Sequence, residues 1–239
     1  MVHSAWKHAD TKYLVEQRYG TERAEKVFDA SLSVHWKLLI ASYHASEIRK
    51  ITHSVIPDEA KAIEKMLLRA CGSKKAISYV KAQFRCEAHL MACAQAIHSV
   101  GDIVSHVIWH SMNLITLIPD ERKISLSTVS CAIEELKAAH DVAQALNNLS
   151  NSDAFTYVTA YVNTTKHRRV VDNFASISLD PNPPRYGFRI GDFDYKGLDY
   201  PKTWFDTLSE QYRKSVQDSI VVIGDSLNIW LRNQTSSPK

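Results

Sequence analysis

Apolar residues fall into long stretches of helical period separated by a few short breaks. From about Thr21 to His53, Val27, Phe28, Leu32, Trp36, Leu39, Ile40, Tyr43 and Ile48 recur at steps of three and four, which predicts an amphipathic helix with those residues as its inner face. Pro57, Asp58 and Glu59 open a second helix, because proline suits a first helical turn and acids suit its positive end; it runs to about Ala70. "CGS" ends it, with Ser73 as the cap of the next. The segment from Lys74 to about Leu117 contains "LMACAQAIHSVGDIVSHVIWHSMNL", apolar nearly all round, which predicts a helix enclosed at the centre of a bundle and stopped by Pro119. Ser125 or Ser127 caps a helix through "TVSCAIEELKAAHDVAQALNNL", with Val129, Ile133, Leu136, Ala143 and Leu146 inward, and Asp153 to about Thr165 forms another.

Beyond Val171 the period changes. Alternating apolar residues, clustered Pro and Gly, and strand-forming aromatics predict a β-hairpin or a short irregular sheet over about residues 174–198. A final helix begins at Pro201 or Thr203, carries Trp204, Leu208, Tyr212, Val216, Ile220, Ile223, Leu227 and Trp230 inward, and leaves a disordered tail over about residues 233–239. The fold expected is mainly α: a single helical-bundle domain over residues 1–239, with a long apolar central helix and a β-hairpin excursion before the last helix. Strand and helix do not alternate, which excludes a parallel α/β sheet.

Composition narrows this picture in a few ways. The 239 residues suffice for a substantial core, and only 7 Gly and 7 Pro favour long helices. A net charge of +3 permits a nucleic-acid partner without requiring one. Cys71, Cys86, Cys93 and Cys131 form no C-x-x-C pair and read as buried free thiols, with no zinc ribbon. No apolar run reaches the length of a signal peptide or a membrane span, so a cytoplasmic chain with no membrane partner is expected. No phosphate-binding loop, dinucleotide fingerprint or nucleophile elbow is present, and no cofactor is expected.

Two clusters carry the candidate chemistry. Gln95, His98 and Asp102 follow one another along one face of the central helix, among Ile97, Val100, Ile103 and Val104. An unpaired carboxylate buried there would cost several kcal/mol, so Asp102 faces solvent or meets a cation. These three residues are expected as a pocket wall, or as a polar pairing that fixes helix register. His98, Asp102 and His106 also have metal-compatible spacing, but no H-E-x-x-H or E-x-x-H pair accompanies them and no metal is assigned. The second cluster lies in "YVNTTKHRRVV". Asn163, Lys166 and His167 share a helical face, and Arg168 and Arg169 follow. Amide, ammonium and imidazole together can bind a phosphate and move a proton.

Asn163-x-x-x-His167 resembles the signature of the helical HEPN superfamily, which includes bacterial toxin and antiviral ribonucleases. In that signature an arginine precedes the asparagine; here Val162 occupies its place. The resemblance covers about residues 74–171 and implies RNA or a nucleotide as partner, a homodimer, and metal-independent cleavage. His167 would be the general acid or base, Lys166 would stabilise phosphate charge, Asn163 would orient the histidine, and Arg168 and Arg169 would bind phosphate. The family's polar residue on an earlier helix would be Asp102 or His98. "RCEAH", with Arg85 and His89, is a second and shorter match. Two alternatives stand beside this one: a non-enzymatic helical interaction module with a structural polar core, and a metal-dependent helical-bundle enzyme. The basic and aromatic residues of "RYGFRIGDFDYKG" read as an ordinary hairpin, or as a lid over the second cluster.

Overall fold

A computed structural model describes residues 6–68, 74–136, 139–178, 180 and 184–235. The chain is mainly α, with strands before its last helix, as the hydrophobic pattern predicts. The described helices are α1 (His8–Tyr19), α2 (Thr21–Val55), α3 (Glu59–Leu68), α4 (Lys74–Ser111), α5 (Leu126–Glu134), α6 (His140–Ser150), α7 (Asp153–His167) and α8 (Arg213–Thr235). The strands are β1 (Asn173–Ser178), β2 (Arg185–Ile190), β3 (Phe193–Tyr195), β4 (Leu198–Tyr200) and β5 (Thr203–Trp204). The chain divides into two compact units: residues 1–39, 97–156 and 214–239 form the first, and residues 40–96 and 157–213 the second. No described helix is long and apolar enough to cross a membrane.

In the first unit, Ile97, Val100, Val104, Val107 and Ile108 of α4 are fully enclosed. Gly101 continues this face because Leu126 and Phe155 lie where a larger residue would project. α4 ends at Ser111 rather than near Leu117: Asn113 takes a left-handed conformation (φ 55°), and a short 3₁₀ turn over Leu114–Thr116 follows. Ser125 caps α5 in a reciprocal capping box with Thr128. The single helix expected from here to residue 149 is two, α5 and α6, which pack on each other as a hairpin. Ser130 donates to Asn147 Oδ1 at 2.6 Å, and Asn147 donates to Glu134, so the polar groups near the break satisfy one another. α1 was not foreseen: its mixed pattern hides a short buried edge of Thr11, Leu14 and Val15.

The second unit holds the sheet. Asp58 accepts a hydrogen bond from Lys61 N at 2.8 Å and so caps α3, with Pro57 just before it. The boundary expected at Ala70–Ser73, and Cys71 with it, lies outside the described residues. α3 packs on β1, β1 pairs antiparallel with β2, and β2 pairs antiparallel with β5. β3 and β4 form a separate hairpin closed by Lys196 (φ 53°) and Gly197 (φ 78°), two positive-φ positions that match the right-handed twist of the strands. The expected β excursion before the last helix is present, and among the described residues it comprises five strands in two sheets. Thr203 lies in β5, so neither it nor Pro201 begins the last helix; a π-helical turn over Thr207–Tyr212 leads into α8 instead, and α8 runs on to Thr235, into the expected tail.

The inner face of α2 also differs from the expectation. Trp36, Leu39, Ile40 and Tyr43 are exposed, while Ala24, Val27 and Val34 in the first unit and Ala41, Ala45 and Ile48 in the second are buried. Close packing selects small side chains here. In the second unit the Cys93 thiol approaches the Ala41 carbonyl at 3.4 Å.

In the first unit, a Cβ on Gly224 of α8 would lie 2.4 Å from the Trp6 ring, whose Nε1 donates to Thr11 at 2.9 Å. Overpacking costs about 1–3 kcal/mol and outweighs the ~1 kcal/mol helix-propensity gain of alanine over glycine. Gly224→Ala is therefore expected to lower stability by about 1 kcal/mol in urea unfolding, and a second change, Trp6→Leu, to offset part of that loss.

Candidate functional site

The second unit brings the C-terminal end of α7 beside the β3–β4 hairpin. An aromatic cluster fixes that hairpin: Tyr157 of α7 packs against Phe193, Tyr200 and Tyr212, and Phe193 stacks on Tyr200 with ring centroids 5.1 Å apart. Burial pushes the Tyr157 and Tyr161 phenols well above their usual range, so both stay neutral. α7 continues through His167, as the shared face of Asn163, Lys166 and His167 requires. It closes with the Thr164 carbonyl accepting from the backbone N–H groups of both Arg168 and Arg169.

Lys166, His167, Arg168 and Arg169 are all exposed. Arg168 has a structural task. In the β3–β4 register Asp194 stands directly opposite Asp199, a like-charge pair that destabilises a hairpin. Arg168 approaches Asp194 at 3.6 Å and lies over the Tyr195 ring at 5.2 Å. Lys166, His167 and Arg169 form no ion pair among the described residues. Arg169 borders a hollow lined also by Asp192, Asp194 and Asp199, whose carboxylates repel anions, so an anionic ligand would lie along the end of α7 and not in that hollow. Asn163 is half-buried, and its amide donates to the Thr159 carbonyl of its own helix at 2.9 Å. Val162, in the place of the signature arginine, is 4 % exposed and faces the core.

The other expected wall is not a buried stripe. Asp102 is exposed, and so is Gln95, which lies on the part of α4 belonging to the second unit. His98, in the first unit, is half-buried with its ring parallel to Phe155. Within the second unit, the α4 carboxylate that faces the buried side of α7 is Glu87. Burial, aided by Asp172, raises its pKa, while Asn173 hydrogen-bonding opposes the rise; its charge also raises that of Tyr161. Gln83, one turn earlier, donates to the Asn173 carbonyl at 2.6 Å. Glu87 sits inside the "RCEAH" stretch but passes there as an ordinary surface acid; only its partners mark it out.

A cleft of about 260 Å³ opens elsewhere in the second unit, walled by Ile56, Tyr186, Phe188, Trp204 and Phe205. Its charged rim is paired internally, Arg49 with Glu210 at 3.2 Å and Arg185 with Asp206. Arg185 and Arg189 each lie 4.9 Å from the Trp204 ring centroid. Such a cleft suits a neutral planar group better than a phosphate. Arg85 is exposed, while His89 is half-buried and shares a hydrogen bond with His44, Nδ1 to Nδ1 at 2.8 Å.

Burial disfavours the thiolate at two of the cysteines. Burial pushes Cys86 up to about 11 and Cys93 up to about 12, whereas Cys131 on α5 is exposed, contrary to the expectation of a buried thiol. Alkylation of the folded protein near pH 8, followed by peptide mapping, is expected to modify Cys131 and to spare Cys86 and Cys93. Burial, and then His89, hold His44 below its usual pKa of 6.5, with Glu47 opposing them. A group lowered in the folded state binds its proton preferentially in the unfolded chain, so its contribution is present above about pH 6.5 and declines as pH falls through the folded value. His8 and His110 are lowered as well, so stability is expected to fall on acidification below about pH 6.5, and less steeply in His44→Asn, measured by urea unfolding across pH.

No family model, curated protein or solved structure matches this chain.

Proposed function

We propose that this protein is a HEPN-like helical module that binds single-stranded RNA, or the phosphate of a nucleotide, at the C-terminal end of α7, and that it binds without cleaving. The observation that carries this reading is the run Lys166–Arg169: four exposed side chains, of which Lys166, His167 and Arg169 have no ion-pair partner among the described residues, with Tyr195 alongside beneath Arg168. Cations beside an aromatic ring are the elements from which sequence-tolerant single-strand sites are built, and the Tyr195 ring here is half-buried. The α-helix macrodipole is negative at this end and opposes an anion, so the affinity must come from the side chains.

Binding rather than cleavage follows from two placements. The backbone position of the signature arginine carries a buried valine, and the Asn163 amide is engaged by its own helix. A phosphorane-like transition state at His167 would lack the preorganised guanidinium that such chemistry relies on.

A labelled mixed-sequence RNA of about 16 nucleotides is expected to bind at low salt. The logarithmic salt slope should shrink by about 1.4 in Lys166→Ala/Arg169→Ala, from two lost phosphate contacts on a single strand. The RNA is expected to stay intact with wild type and with His167→Ala alike. Absence of binding at low salt, or an unchanged slope in the double variant, would remove the reading. Cleavage by wild type that disappears in His167→Ala would replace it with the nuclease.

A further inference from the structure

We propose that His106, His110 and Glu121 form a binding site for a divalent transition-metal ion of the zinc class, with one coordination position left open. All three residues belong to the first unit. The nearest atoms of the two imidazoles and the carboxylate lie within 4.8 Å of one another. The two histidines stand one helical turn apart on α4, the i, i+4 arrangement that places two ring nitrogens on one side of a helix. This set differs from the triplet that sequence spacing suggests. His106 is common to both, but Asp102 is exposed and His98 lies against Phe155.

The third ligand arrives by a constrained route. Trp109 Nε1 donates to the Ile118 carbonyl at 3.0 Å, tying the chain back onto α4 beside His110. Pro119 restricts the next step. Asp120 then caps the short 3₁₀ turn Glu121–Lys123, accepting from Arg122 N at 3.1 Å and from the Arg122 guanidinium. The outcome is a Glu121 carboxylate 3.9 Å from His106 Nδ1, too far for a hydrogen bond. The gap suits an atom bonded to both. Metal–ligand bonds of about 2.0–2.1 Å in a tetrahedron set ligand atoms about 3.3 Å apart, and the exposed Glu121 side chain is free to close part of that gap.

The ligand chemistry fits a borderline-soft ion: two imidazoles and one carboxylate are the donor set of open zinc sites. The ring of His110 is half-buried, and Lys26 and Arg23 of α2 stand near it. The two nearby cations are partly offset, since Lys26 pairs with Glu22 at 2.9 Å and the Arg23 guanidinium lies over Tyr19. One Arg23 nitrogen, Nη1, is buried without a hydrogen-bond partner among the described residues. This positive wall favours an anionic group at the open position over a second neutral ligand.

The test is calorimetric titration of the metal-stripped full chain with Zn²⁺, together with the visible spectrum of Co²⁺ in its place. One ion per chain is expected, with a four-coordinate Co²⁺ spectrum. His106→Ala, His110→Ala and Glu121→Gln are each expected to weaken binding by tenfold or more. Glu121 is exposed, so its substitution leaves the fold intact and the thermal midpoint of the metal-free chain unchanged. His44→Ala is the control, because His44 and His89 are another close imidazole pair; it should leave Zn²⁺ affinity unaltered. Absence of saturable Zn²⁺ binding, binding indifferent to Glu121→Gln, or binding lost only in His44→Ala would each overturn the assignment.

Discussion

The rest of this fold depends on the enclosure of α4. A helix this apolar cannot remain in water, and each of its turns must be covered by something the chain supplies. In the first unit that demand is met nearly all round: Ile97, Val100, Val104, Val107 and Ile108 have no accessible surface, and Gly101 admits Leu126 and Phe155 at distances no other residue would allow. In the second unit one stripe is buried, Tyr79, Ala82, Cys86, Leu90 and Cys93, while Ile77, Val80 and Phe84 stay exposed. Polar groups on α4 then have a restricted choice. They project where coverage is incomplete, as Gln95 and Asp102 do, or they find a partner, as Glu87 and the two C-terminal histidines do.

Element existence was legible because helical period and breakers both reported it. α2, α3, α4, α7 and the late strands lie close to where the apolar spacing and the Gly and Pro clusters place them. Facing was less legible, and α2 shows why. Hydrophobicity ranks Trp36, Ile40 and Tyr43 above Ala24, Ala41 and Ala45, yet the alanines are the buried set. Backbone-to-backbone approach rewards small volume, and an apolar scale does not register volume. The π-helical turn before α8 and the break between α5 and α6 were illegible for a related reason. Neither carries a proline or glycine, so each is imposed by tertiary packing rather than by local propensity.

The candidate sites divide the same way. Asn163, Lys166 and His167 required only that a helix persist through them, which local sequence decides. The partners of Arg168 and of the α4 histidines required knowledge of which acid a returning segment would present. Asp194 and Glu121 are separated from their partners by 26 and 15 positions respectively (194 − 168 and 121 − 106), and register or a tethered turn sets each approach.

Both clusters grow from one electrostatic rule with different consequences. Cationic and imidazole side chains collect at helix C-termini because the exposed carbonyls there are partly negative, and α4 and α7 both end in such residues. What each cluster can do depends on the acid that returns to it. At the end of α7 the hairpin brings Asp194, already opposed by Asp199, and Arg168 is used in relieving that repulsion, which leaves Lys166 and Arg169 without an ion pair among the described residues, the basis of the proposed anion site. At the end of α4 the capped turn brings Glu121 to two imidazoles, the donor set of the proposed cation site. The sign of the ligand proposed at each terminus therefore depends on the connecting segment and not on the helix that carries most of the side chains.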